Sequence, residues 1–186
     1  MSKTEHATPT EHAAPRPRGD AFSRILSALV AITTILGIPV GLYGYYASQQ
    51  ASRVDRTFEF YKDFRGDTLQ KGFSLLVEQW NAKAAEVEAM LAKDDEAGLG
   101  QLVASLMQSD EAQTALAQLV LFFDETYSCV DKALCDNNAA FALLKDPANQ
   151  IFFMYGSYLT TVRKHNPNYA TGILKVRGLS KTWSLL

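Results

Sequence analysis

A long stretch without charge near the start of the chain constrains its fold more than any other feature. No Asp, Glu, Lys or Arg occurs between Arg24 and Arg53, and residues 25–47 read ILSALVAITTILGIPVGLYGYYA. At about 1.5 Å per residue, a helix over residues 25–47 is roughly 35 Å long, which is enough to cross about 30 Å of hydrocarbon with some tilt. The sequence therefore predicts a single transmembrane helix over residues 22–47.

Two other structures produce apolar runs, and neither fits this one. A cleaved signal peptide has a shorter apolar region that begins nearer the N-terminus, and a buried helix of a soluble protein is rarely apolar on every face. Pro39 removes one backbone hydrogen bond, which a membrane helix tolerates. Aromatic residues at the two ends suit the boundary layers of a bilayer, and we expect four interface anchors: Phe22, Tyr43, Tyr45 and Tyr46.

Three glycines share one face of the predicted span. Gly37 and Gly41 form a G-x-x-x-G spacing, and Gly44 follows three residues later. Small residues let two membrane helices approach closely, so this face is a candidate helix–helix contact within the bilayer. The alternative is that the glycines accompany a kink at Pro39, since glycine is common in membrane helices.

The rest of the chain has the spacing of a helical bundle. Apolar residues recur at alternating steps of four and three in segments that begin at Phe73, Leu116 and Ile151. No alternating strand pattern competes, so the sequence predicts an all-α protein whose transmembrane helix continues into a stalk and is followed by a soluble helical bundle. We expect a disordered polar tail at 1–21, the span at 22–47, a stalk helix at 48–66 that ends at Arg65-Gly66-Asp67, the bundle at 67–175 and a C-terminal tail at 176–186.

Acidic residues mark the expected starts of several helices, because their side chains can accept the free N–H groups of a first helical turn. A proline directly after such a residue strengthens the signal. The expected starts are at Asp110, Asp136 and Asp146-Pro147.

Composition narrows the classes of function. Lys and Arg number 18 against 20 Asp and Glu, so the chain has no basic excess with which to neutralise phosphates, and we expect no nucleic-acid partner. The 2 cysteines exclude a four-cysteine zinc site. The sequence also lacks a phosphate-binding glycine loop and the common nucleophile motifs. We therefore expect no catalytic, cofactor-binding or metal-binding residues and no enzymatic activity.

Asp124 and Glu125 are the strongest candidates for acid–base chemistry, because a carboxyl in an apolar helix can have a raised pKa. Adjacent residues diverge by about 100° around a helix, so the two carboxyls cannot reach one substrate atom. We therefore expect a structural ion pair with a basic residue of a neighbouring helix.

Three segments resemble a bacterial family of uncharacterised, single-span membrane-anchored helical proteins, known as a domain of unknown function. They are the juxtamembrane segment RTFEFYKDF, the segment FFDETYSCVDKALCDNN and the terminal segment HNPNY. The resemblance implies an all-helical fold and a membrane anchor, with no assigned reaction. Ala133 stands where the family usually has a helix-ending glycine, so we expect this turn to be tighter or differently formed.

The two cysteines, Cys129 and Cys135, lie six residues apart. A continuous helix would forbid a disulfide between them, whereas a helix ending near Lys132 would allow one. In the family pattern both positions are aliphatic, so the resemblance favours buried free thiols.

Charge leaves the orientation across the membrane undecided, because basic residues flank the span equally. They are Arg16, Arg18 and Arg24 before it and Arg53, Arg56 and Lys62 after it. Core-like cysteines and the family resemblance favour a bacterial inner membrane with the bundle in the cytoplasm.

These features together indicate a non-catalytic interaction protein, an accessory subunit of a larger membrane assembly. Its expected partners are the lipid bilayer and another membrane protein or a second copy. We expect Phe58, Phe60 and Tyr61 of the stalk to face the partner. The alternative is a single-span signalling or sensor protein that acts as a homodimer.

Overall fold

Local chemistry sets the breaks between the helices. The computed structural model describes residues 20–180, with side chains from residue 25 onward. Within that range the chain is all-α, as predicted, with no strand. Most of the predicted tail at 1–21, the Phe22 side chain and residues 181–186 lie outside the described part. The helices are α1 (Asp20–Phe64), α2 (Asp67–Asn81), α3 (Ala84–Leu91), α4 (Glu96–Leu106), α5 (Asp110–Asp131), α6 (Asn137–Arg163) and α7 (Thr171–Arg177).

The chain divides into two compact units after Ala47, the residue at which the sequence predicts the span to end. The first unit holds the apolar part of α1. The second unit, Ser48–Leu186, holds the remainder of α1 and helices α2 to α7. We call the described residues of this second unit the helical domain. As predicted, α1 ends just before Arg65 and α2 begins at Asp67.

Side-chain caps fix the first turns of two long helices. The Asp136 carboxylate accepts the N–H of Ala139 at 2.8 Å, which confirms the predicted start of α6. Helix α5 is capped by Ser109, one residue before the expected Asp110, because the Ser109 hydroxyl lies where it can accept the N–H of Ala112 at 3.3 Å.

Pro147 does not begin a new helix, as the Asp146-Pro147 pair predicted, but lies inside α6. Proline in a helix interior costs one backbone hydrogen bond. The residues around it, Leu144, Ala148 and Ile151, are fully buried. Packing of this apolar face offsets the lost bond and keeps α6 in one piece.

Helix α5 is the most extensively buried element of the helical domain. Helices α2 and α7 both pack along it, and α6 packs against α7 and α4. Tyr155 of α6 lies in this core and donates a 2.7 Å hydrogen bond to the carbonyl of Leu76. Burial raises the pKa of Tyr155 to about 12, so the hydroxyl remains a donor at physiological pH.

Aromatic rings attach the end of α1 to the core. Phe64 is only 3% exposed. Its ring centroid lies 5.6 Å from Phe73 of α2, 5.6 Å from Phe122 and 6.2 Å from Phe123 of α5. Ring pairs at these separations add about 0.5–1.5 kcal/mol each beyond the area they bury. Phe64 therefore joins three helices.

Helix α7 approaches α5 closely at Gly172. A Cβ atom at this position would overlap the carbonyl group of Phe123 and the backbone nitrogen of Asp124. Because backbone atoms cannot yield as a flexible side chain can, the position requires glycine for lack of space.

We expect Gly172→Ala to lower the free energy of unfolding by at least about 1–3 kcal/mol, since the added methyl forces α7 away from α5. Thermal unfolding of the full chain in mild detergent, followed by circular dichroism, measures the change. Gly100→Ala is the matched control, because Gly100 lies in α4 with open space around it. This control should raise stability by about 0.5–1 kcal/mol. Equal stabilities for the two variants would contradict the role of Gly172.

Candidate functional site

The apolar part of α1 is the largest exposed apolar surface that the structure describes. From Ile25 onward α1 is long and apolar enough to cross a membrane, and none of its most apolar window is buried. In a soluble protein, other helices would pack over a core helix as apolar as this one. In water, exposed apolar surface is unfavourable by about 25 cal/mol per Å². Among the described residues, nothing covers this part of α1.

Polar groups inside this stretch are satisfied by the helix itself. The Thr33 hydroxyl donates to the carbonyl of Leu29 at 2.6 Å, and the Thr34 hydroxyl donates to the carbonyl of Val30 at 2.8 Å. A hydroxyl in the hydrocarbon of a bilayer has no water to bind, so it is stabilised by a hydrogen bond to a carbonyl of its own helix. Three of the predicted interface anchors are exposed along α1: Tyr43, Tyr45 and Tyr46.

The face formed by Gly37, Gly41 and Gly44 is open. A Cβ atom added at any of the three would meet nothing within 4 Å. Helix α1 continues through Pro39, so the three glycines keep helical spacing. Their contact with another membrane helix stays a prediction.

The stalk residues expected to face a partner lie on different sides of α1. Phe58 is 45% exposed, as such a contact requires. Phe60 instead packs against Phe122, with ring centroids 6.1 Å apart, and Tyr61 also packs against the core of the helical domain. Phe60 and Tyr61 are therefore partly buried against the chain's own core, and their contact with a partner stays a prediction. Phe60 and Tyr61 precede the buried Phe64 by four and three residues, so helical spacing places them on the same face of α1 as Phe64.

One residue connects α1 with the start of α6. The N–H of Asp136 donates to the hydroxyl of Thr57 at 2.9 Å and to the carbonyl of Arg53 at 3.3 Å. The Gln50 side chain donates to the Asp136 carboxylate at 2.6 Å, while the other carboxylate oxygen caps α6 through Ala139. Thr57 is fully buried here. We call this set of hydrogen bonds the Asp136 junction.

A disulfide lies directly beside the Asp136 junction. Cys129 and Cys135 are joined, with their Cα atoms 5.2 Å apart, so the expectation of free thiols is wrong. The bridge is feasible because α5 ends at Asp131 and the chain turns back. Both cysteines are buried.

The turn that permits the bridge is a regular helix end. The N–H of Ala133 donates to the carbonyl of Val130, and the N–H of Leu134 donates to the carbonyl of Cys129, each at 2.9 Å. Ala133 takes the left-handed backbone conformation, with φ 54°. This is the Schellman arrangement that usually employs glycine. The turn is therefore of the ordinary kind, contrary to our expectation for Ala133.

Asp124 does not form the expected ion pair, and neither does Glu125, within 4.0 Å among the described residues. The Asp124 carboxylate accepts the N–H of Gly172 in a short hydrogen bond at the start of α7. Burial raises the pKa of the Asp124 carboxyl, an effect opposed by this hydrogen bond and by the charge of Arg163. Arg163 donates to the carbonyl of Tyr169 at 2.5 Å instead. Glu125 is exposed. Asp124 is thus an anchor for α7.

A groove with a volume of about 720 Å³ lies along α6 on the helical domain. Phe152, Phe153 and Gly156 line it, and the Arg177 guanidinium sits 3.8 Å from the Phe152 ring centroid. Arg177 is the one ionisable residue in its lining, so the groove lacks an acid–base pair. Across residues 25–180, no group of three or more His, Cys, Asp or Glu is placed to hold a metal ion.

The stability of an Asp124→Asn variant should differ from that of the wild type in a pH-dependent way. Because burial raises the pKa of Asp124 above 3.8, the folded state keeps its proton at pH values where the unfolded chain has released it. The contribution of Asp124 to wild-type stability therefore falls as pH rises through this range, and the variant lacks this contribution. We expect the Tm of the variant minus that of the wild type to increase between about pH 3 and about pH 7.

Glu125→Gln is the control for the loss of one negative charge, since Glu125 is exposed at the neighbouring position. Its Tm difference from wild type should show no matching increase. A constant Tm difference for Asp124→Asn across the pH range would refute the effect of burial on Asp124.

No family model, curated protein or solved structure matches this chain. The resemblance carried by the segments around Phe58, Asp124 and Asn166 stays a prediction.

Proposed function

We propose that this chain is a membrane-anchored, non-catalytic interaction protein, an accessory subunit of a larger membrane assembly. One observation carries the proposal: the apolar part of α1 is exposed, and it precedes in the chain a helical domain that has its own buried core. A bilayer would cover this surface, and the hydroxyl bonding of Thr33 and Thr34 suits hydrocarbon.

Two kinds of surface are available for a protein partner. Within the bilayer, the open face of Gly37, Gly41 and Gly44 admits a close helix. On the helical domain, some large apolar side chains are exposed to solvent, among them Leu121 at 60% and Phe153 at 63% exposure. Phe58 adds a third apolar contact on the stalk. Exposed apolar side chains of this size are common at protein contacts.

A homodimeric sensor is the alternative function, and it uses the same glycine face. Two copies can pack identical small-residue faces across a two-fold axis. The two functions differ in what occupies the face, which is a different protein in one case and a second copy in the other.

The disulfide favours an oxidising compartment for the helical domain. Disulfides persist in extracytoplasmic compartments and are rare in the cytosol, where thiols are kept reduced. The Cys129–Cys135 bridge thus supports a helical domain on the side of the membrane opposite the cytoplasm. The core-like cysteines of the sequence had suggested the cytoplasmic side. In the bacterial inner membrane implied by the family resemblance, this side is the periplasm.

Membrane association and lateral contact can be tested together on the full chain. We expect the protein to stay in the membrane pellet after an alkaline carbonate wash. We also expect purification in mild detergent to retain a stoichiometric partner, and Gly41→Leu to reduce its recovery by about tenfold or more, because the added bulk separates the helices. Quantitative electrophoresis of the purified complex measures the recovery.

Leu42→Ile is the matched control, since it changes the neighbouring residue without adding bulk to the glycine face; it should leave partner recovery unchanged. Release of the chain by carbonate would refute the membrane anchor. A lone monomer that Gly41→Leu does not alter would refute the lateral contact, and recovery of a second copy alone would select the homodimer.

The state of the two cysteines in cells tests the orientation. After rapid acid quenching, we expect a maleimide–polyethylene glycol reagent to label no thiol of the chain before reduction and two thiols after it. Cys135→Ser is the control and should gain one label without reduction. Two reactive thiols in freshly quenched wild-type cells would place the helical domain in a reducing compartment.

A further inference from the structure

The groove along α6 follows one face of that helix. Its floor residues recur at helical spacing over about three turns, which is roughly 16 Å at about 1.5 Å per residue. They are Asn149, Phe152, Phe153, Gly156, Ser157 and Thr160. Leu99 of α4 and Arg177 of α7 complete the lining. The groove volume of about 720 Å³ falls within the range of roughly 300–1,000 Å³ that small-molecule sites occupy.

A glycine and an aromatic ring position the one charged group of this groove. A Cβ atom at Gly156 would come within 3.3 Å of the Phe152 ring, so the absence of a side chain lets this ring lie against α6. The Arg177 guanidinium lies over the same ring, 3.8 Å from its centroid. A guanidinium stacks on an aromatic ring through its flat face. Gly156 and Phe152 therefore hold the guanidinium at the side of the groove.

The charge of Arg177 has no anionic partner among the described residues. No carboxylate lies within 4.0 Å of its guanidinium there, and no Asp or Glu lines the groove. The N–H groups of a guanidinium lie in its plane, so stacking on a ring leaves them able to bind a carboxylate at two points. Arg177 thus gives an uncharged, largely apolar groove a single positive charge.

The walls beside this charge suit an elongated apolar body. Phe153 is 63% exposed, and its ring packs edge-on against Trp80 with centroids 6.0 Å apart. Leu99 is half-buried in the opposite part of the lining. A ligand that covers Phe153 and Leu99 is favoured because it removes apolar surface from water. Charge complementarity adds one negative group, at the end of the ligand nearest Arg177.

We propose that this groove binds an aliphatic monocarboxylate, a small molecule with an unbranched apolar chain and one terminal carboxylate. The carboxylate pairs with Arg177, and the chain lies over Phe153 and Leu99. The volume and the single charge favour a small molecule over a protein segment. Because the groove lacks an acid–base pair, the ligand is bound and not converted. The inference is independent of the proposed membrane anchoring, since every lining residue belongs to the helical domain.

Isothermal titration calorimetry of the full chain in lipid nanodiscs tests the proposal, with hexanoate and octanoate as probes. Empty nanodiscs give the heat of probe partition into lipid, which is subtracted. We expect the wild type to bind octanoate with a Kd of about 1 mM or lower. Octanoate should bind roughly tenfold more tightly than hexanoate, because its chain buries two more CH₂ groups.

Arg177→Gln should raise the Kd of octanoate by about tenfold or more, because the charge-assisted pair is lost. Lys175→Gln is the matched control: it removes one positive charge from an exposed position of the same helix, outside the groove lining, and should leave the Kd unchanged. As a ligand control, 1-octanol carries a chain of the same length without the charge. It should bind equally to the wild type and to Arg177→Gln.

Ser157→Trp is a second variant that leaves Arg177 in place. Ser157 is exposed in the groove lining, so the larger side chain should fill the groove and abolish binding without loss of helicity by circular dichroism.

Equal octanoate affinity of the wild type, Arg177→Gln and Ser157→Trp would overturn the proposal. Equal affinity for hexanoate and octanoate would overturn it too, because the carboxylate would then form a surface ion pair without an apolar contact. Heat no greater than that of empty nanodiscs would have the same meaning. The carbonate wash tests the membrane anchor separately, so none of these results bears on it.

Discussion

Asp136 connects the part of α1 that follows Ala47 to the rest of the helical domain. Its backbone N–H is shared by Thr57 and Arg53, and its carboxylate serves both Gln50 and the first turn of α6. Partners on α1 and α6 satisfy these polar groups together, and losing the buried Thr57 hydroxyl would leave the Asp136 N–H with a weaker partner, at about 1–3 kcal/mol. The disulfide and the left-handed turn at Ala133 fix the loop that presents Asp136.

The second attachment of α1 is apolar and lies at its other end. Phe64 is surrounded by rings from α2 and α5, and Phe60 adds a contact with Phe122. Between these points Phe58 faces outward. The stalk is thus fixed to its own domain by polar contacts near Gln50 and by aromatic packing near Phe64. Its outer face remains available to a partner.

Much of the fold could be predicted from spacing, because helical periodicity and capping are local properties. The absence of charge identified the apolar helix, Gly66 marked the end of α1, and Asp136 marked the start of α6. The steps of four and three from Phe73 to Leu91 continue across the break after Asn81, so they could not reveal it. Candidate-site contacts were harder to predict, since the Asp124–Gly172 bond and the Cys129–Cys135 bridge depend on how distant segments meet. Only a turn at Ala133 brings the cysteines together.

The Asp136 junction also has a mechanical consequence. Tension that pulls on α1 from its apolar end reaches Gln50, Arg53 and Thr57 before it reaches the rings around Phe64. Hydrogen bonds weaken steeply as their distance and angle change, so they rupture over a small displacement, whereas packed rings can slide. Because the same carboxylate caps α6, displacement of Asp136 would also break the hydrogen bond to Ala139 in the first turn of that helix. A force on the apolar end of α1 would therefore disrupt the first turn of α6 before it disrupts the aromatic contacts of Phe64.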